Sequence, residues 1–133
     1  DIIREVGLPY KEFVIWGDDT EYTLRISRLH PCYIACRSEV VHKRSQQAPL
    51  SFFTEKDPRR LQNYFYLIRN HGYIEIQKYM GLGNYRNVVG FYFHAIIQSI
   101  KLLVKLDIKR FRIYTRAIVS LMCFKPKIVF PQS

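Results

Sequence analysis

The sequence predicts an α/β unit over residues 1–80 and a basic helical tail over residues 81–133. Three observations predict it. Short apolar runs of strand type are interleaved with helical patterns in the first part. Gly81-Leu82-Gly83-Asn84 then reads as a linker. Beyond it apolar residues recur at helical spacing and the charge balance changes: residues 1–75 hold 11 basic and 10 acidic side chains, whereas residues 76–133 hold 10 basic side chains and one acidic, Asp107.

Phe13-Val14-Ile15-Trp16 is the first strand-type run, broken by Gly17-Asp18-Asp19. A helix follows, with Tyr22, Ile26 and Leu29 on one face and Pro31 as its stop. Cys32 to Cys36 reads as a second short strand, and Val40-Val41-His42 as the end of a third extended segment. Lys43 to Pro49 is polar and aperiodic, hence loop. Asp57-Pro58 starts a helix, because Asp can cap and Pro suits the first helical position. Leu61, Tyr64, Phe65 and Ile68 form its apolar face, and His71-Gly72 is a point where it kinks or breaks. Tyr85 to Leu106 and Ile108 to Cys123 are two further helices. Arg86, His94, Gln98, Lys101 and Lys105 interrupt the first of these, so no unbroken apolar stretch reaches the ~20 residues of a membrane span.

Composition narrows the function classes. With 48% hydrophobic and 15% aromatic residues, the chain is not a disordered one. Three cysteines at irregular spacing exclude a disulfide scaffold and suit a reducing, cytoplasmic compartment. Cys32 and Cys36 lack a second Cys/His pair at zinc spacing and read as strand packing. A net charge of +10 attracts anions: nucleic acid, anionic lipid or phosphorylated substrates. The chain opens at Asp1 without Met, as an excised or trimmed piece would.

Asp18, Asp19 and Glu21 cluster where the first apolar run meets the first helix. In one reading Asp18 caps the helix and Glu21, three residues on, closes a capping box. In the other, Asp19 projects into a cleft and takes a proton from an attacking hydroxyl as general base. The two are compatible. His42, at the end of an apolar pair, suits a divalent metal or, protonated, a phosphate; the plainer reading is a satisfied loop histidine. His30, His71 and His94 read more strongly as structural.

Gly7-Leu8-Pro9, then Phe13-Val14-Ile15-Trp16-Gly17-Asp18-Asp19-Thr20-Glu21-Tyr22 and Leu24-Arg25, resembles a pattern of the family 2 glycosyltransferases, especially their bacterial rhamnosyl- and galactofuranosyltransferase-like members. Tyr64-Phe65-Tyr66-Leu67-Ile68-Arg69-Asn70 resembles a later Y-Y-x-x-R-N segment of those proteins, and His42 falls where their histidine stands. The resemblance covers residues 5–80 and extends only loosely into the tail. It implies a GT-A, Rossmann-like fold whose C-terminal, acceptor-side part is residues 1–80. It implies inverting transfer from a nucleotide-sugar donor to a cell-envelope or lipid-linked glycan acceptor, with Mg²⁺ or Mn²⁺. Carried over, Asp18 or Asp19 is the catalytic base, Glu21 orients acceptor or base, and His42 is the metal ligand. Trp16 and Arg69 become substrate contacts, Arg69 as a fork donor or else as a helix-surface salt bridge; Arg25 is a scaffold contact to the carboxylates.

The family's nucleotide-binding half, with its D-x-D motif, has no counterpart here, and His30-Pro31 stands where the family often has Gly. The expectation is therefore that these residues alone transfer no sugar. The tail suits either an anionic membrane surface at the inner face of the plasma membrane or packing on the catalytic domain or a partner. Two readings from other classes compete. One is a small basic nucleic-acid-binding module, disfavoured because the acidic cluster would repel a phosphate backbone. The other is a membrane-associated remnant without activity.

Overall fold

The computed structural model describes residues 1–41 and 51–131. Its elements are α1 (Ile2–Val6), a 3-10 turn (Lys11–Phe13), α2 (Asp18–Ser27), α3 (Pro58–Gly81), α4 (Tyr85–Val104) and α5 (Ile108–Met122). All regular structure among the described residues is helical, which corrects the expected α/β class and its Rossmann-like sheet.

Both expected strands that fall within the described residues take other forms. Phe13–Trp16 is a 3-10 turn running into an irregular loop, with Val14 and Trp16 at φ 62° and 61°. Cys32–Val41 contains no strand, and Tyr33, Ile34, Val40 and Val41 are each at least 85% exposed. A strand is stable only when a neighbour completes its ladder, and no described segment forms a backbone hydrogen-bond ladder with either run. Cys32 and Cys36 are exposed free thiols rather than packed strand residues. His42, the end of the third extended segment and the expected metal ligand, lies outside the described residues, as does the 43–49 loop.

The helical readings from Asp57 onward hold closely. Asp57 Oδ1 accepts from Arg59 N at 2.8 Å, with Pro58 in the first turn. Asn84 caps α4, and Asp107 caps α5 while its second carboxylate oxygen takes Arg110 Nη1 at 2.6 Å. Each such cap stabilises by about 1 kcal/mol. The short connections after α3 and α4 reverse the chain twice, and all three helices touch one another, with α3 and α5 packed most extensively.

The core is the stripe foreseen on α3. Leu61 and Tyr64 are buried with Phe52, Leu102 and Ile113, and Trp16, Phe65, Ile68 and Phe111 pack around them. Side chains of this size stabilise by about 1.5–3 kcal/mol each on burial. α3 runs through His71-Gly72 without interruption. Gly72 is instead the close-approach point: a Cβ there would stand 2.6 Å from a Leu121 methyl and 3.1 Å from the Phe91 ring. The chain end returns to its start, where Leu8 N donates to Val129 O at 2.8 Å. Gly7, at φ 75°, has no room for a Cβ against Ile128 and the Val129 carbonyl.

Candidate functional site

The acidic turn is held by one polar turn of α3. Asn70 is fully buried, and its Nδ2 donates to the carbonyls of Phe13 (2.8 Å), Ile15 (3.1 Å) and Trp16 (2.8 Å). Arg69 donates to the carbonyl of Glu12 and, through Nε and Nη2, to Asn70 Oδ1 at 3.1 and 2.9 Å. Carbonyls that a strand would present to a neighbour are thus gathered onto side chains. The two positive-φ residues, Val14 and Trp16, are what that convergence requires of the backbone. Phe13 is fully buried beside Tyr73 and Phe124, and Trp16 packs on Tyr64 at 5.5 Å between centroids.

Arg69 therefore neither reaches outward as a fork donor nor forms a helix-surface salt bridge. Its guanidinium lies over the rings of Phe65, Tyr66 and Phe124, the last at 4.0 Å from the centroid. Burial pulls its pKa below the usual arginine value. Trp16 is likewise spent on packing.

Gly17, at φ 90°, is the N-cap of α2, so Asp18 is the first helical residue rather than the cap, and no capping box closes. Asp18 and Asp19 both face solvent. Asp19 Oδ1 accepts only from its neighbour Thr20, from N at 2.7 Å and Oγ1 at 3.4 Å. Neither aspartate has a cationic partner among the described residues. Asp19 borders an open depression with Thr20, Thr23 and Leu24.

Glu21, on the face of α2 opposite Asp19, is held. Arg25 grips it at 3.1 and 2.9 Å and also donates to Val6 O (2.6 Å) and Leu8 O (3.2 Å), beneath the Tyr10 ring. The expectation of Arg25 as scaffold is met through Glu21 alone. The structure thus separates the acidic trio: two carboxylates are free and one is structural.

Two clefts stand apart from the aspartates. One of about 520 Å³ between α2 and α3 is lined by Tyr10, Glu21, Leu24, Arg25, Tyr73 and Gln77, among others. Burial and the hydrogen bond with Tyr10 push the Tyr73 hydroxyl far above the usual tyrosine pKa. Tyr73, Gln77 and Gly81, four residues apart, share the face of α3 that lines this cleft, a spacing that would have pointed to it from the sequence. The other, of about 790 Å³ between α3 and α5, is lined by Phe65, Lys109, Arg112, Thr115 and Arg116 among others, with Arg116 over the Phe65 ring.

Among the described residues no three His, Cys, Asp or Glu side chains converge. His30 is bound to Glu5 at 2.8 Å, and His94 to Gln98 at 3.0 Å. Comparison of the chain with protein-family models, curated proteins and solved structures returns no match.

Proposed function

We propose that the start of α2 carries the acceptor-side base of an inverting sugar transfer. One observation supports this reading above the others. The two segments that carry the glycosyltransferase resemblance, some fifty residues apart, are joined by hydrogen bonds: Arg69 and Asn70 of the second hold the backbone of the first from Glu12 to Trp16. Phe13, Trp16, Gly17, Glu21, Arg25, Arg69 and Asn70 each have a structural task. Among the described residues Asp18 and Asp19 contribute only first-turn negative charge to α2 and the Asp19–Thr20 contact, yet they stand at the end of this hydrogen-bonded assembly.

In the proposed reaction one of these carboxylates takes the proton of an acceptor hydroxyl within hydrogen-bond reach. The hydroxyl oxygen then attacks the anomeric carbon of the donor, and the nucleoside diphosphate departs with the bonding electrons of the old glycosidic bond. The nucleotide-sugar site and any metal belong to residues other than those described, and no step is assigned to them. A solvent-facing base encloses no reacting centre, so the 133-residue chain alone is expected to be inactive.

The test is Asp18→Ala and Asp19→Ala in a polypeptide that also holds the donor-binding residues. The base should be the one whose loss lowers turnover by about 10²–10⁴-fold with thermal unfolding unchanged. Unchanged turnover in both variants would remove the reading.

A further inference from the structure

Among the described residues, α4 is covered on one side only. Ala95 and Leu102 are buried against the rest of the bundle. On the neighbouring face Val89, Phe93, Ile96, Ile100, Leu103 and Val104 are 46–76% exposed. Positions 89, 93, 96, 100 and 103 are spaced alternately four and three apart, which sets them in one continuous stripe along the helix. A stripe of large apolar side chains left in water over about four turns marks an interaction surface.

The charges of the helix indicate what covers it. α4 carries no acidic residue, and its exposed cations, Arg86 and Lys101, with Lys105 at its C-cap, stand near the two ends of the stripe. A second copy laid on this face would set like charges against each other in either direction. An anionic lipid surface matches both features: apolar side chains enter the acyl boundary and the cations meet the headgroups. By length and composition α4 suffices to cross a membrane. Its Ala95 and Leu102 side, however, packs within the bundle with α3 and α5, which favours an orientation along the interface over spanning.

We propose that the open face of α4 is a docking surface for anionic membrane lipid. The inference is independent of the sugar-transfer reading. The test is co-sedimentation of the whole chain with phosphatidylcholine vesicles, with and without phosphatidylserine, alongside sedimentation velocity in their absence. The chain should pellet with the phosphatidylserine vesicles and be released by high salt. Phe93→Ser with Ile100→Ser, at sites already exposed and with helicity checked by circular dichroism, should weaken pelleting by about tenfold or more. Lys101→Gln with Lys105→Gln should weaken it on the anionic vesicles alone. Absence of pelleting would overturn the proposal, as would pelleting that the Phe93/Ile100 variant leaves unchanged. A dimer broken by that same variant, without vesicle binding, would assign the face to a second copy instead.

Discussion

Residues 12–17 and residues 32–41 carry the same kind of sequence signal, a short apolar run beside turn residues, and they end in different states. The first is wound into a tight loop whose carbonyls at Glu12, Phe13, Ile15 and Trp16 meet Arg69 or Asn70. The second lies open, with Tyr33 and Ile34 about nine-tenths exposed. The difference lies in where the backbone carbonyls find donors, not in apolarity. A buried amide side chain 55 residues away supplies them in one case, and no described neighbour does in the other.

Substitutions can break that contrast. Asn70→Asp is expected to have the largest effect, because it replaces a donor by an acceptor facing three carbonyls. A loss of about 3–5 kcal/mol is expected by urea denaturation, exceeding that of Asn70→Ala. If Asn70→Asp leaves stability unchanged, side-chain wiring is not what holds the loop. Gly72→Ala sets better helix propensity, about 1 kcal/mol, against a clash with Leu121 and Phe91. Overpacking dominates at a buried contact, so a net loss of about 1–2 kcal/mol is expected; a gain would mean that α4 and α5 yield to α3.

Smaller effects sharpen the comparison. Arg110 lowers the pKa of Asp107 through side-chain and backbone hydrogen bonds. A depressed carboxylate pKa stabilises the fold above its unfolded value of about 4, and that contribution fades as pH falls through the folded value. Asp107→Asn should remove this acid-side dependence at a cost of about 1 kcal/mol or less, in thermal melts compared at neutral and acid pH. Tyr33→Ser and Ile34→Ser are expected to change stability by no more than about 0.5 kcal/mol. A larger loss would show that the 32–41 segment is supported by contacts it does not display here.

Helices were the legible part. Asp57-Pro58 announces its helix start through local chemistry, a side-chain oxygen two residues ahead of an unpaired N–H; Asn84 and Asp107 cap α4 and α5 in the same way, but the structure and not the sequence identified them. The separation of Asp18 and Asp19 from Glu21 was not legible. Spacing made Asp18 a cap and left Arg25 facing carboxylates in general. The actual assignment rests on the carbonyls of Val6 and Leu8, which only the folded chain brings to Arg25. Arg69 was misread in the same way, since its neighbours in sequence do not show that Glu12 and Phe124 close over it.

By itself the sequence determined the helical content beyond Asp57, the Asp57 cap, the apolar stripe at Leu61 and Tyr64, and the uncompensated positive charge of residues 76–133. These depend on residues within a few positions of one another. Tertiary structure alone decided that Phe13–Trp16 is a loop, that Gly72 is a contact and not a break, and that α4 keeps one apolar face uncovered. Each of these depends on partners tens of residues away, and hydrogen-bond satisfaction and packing volume are set by what arrives there.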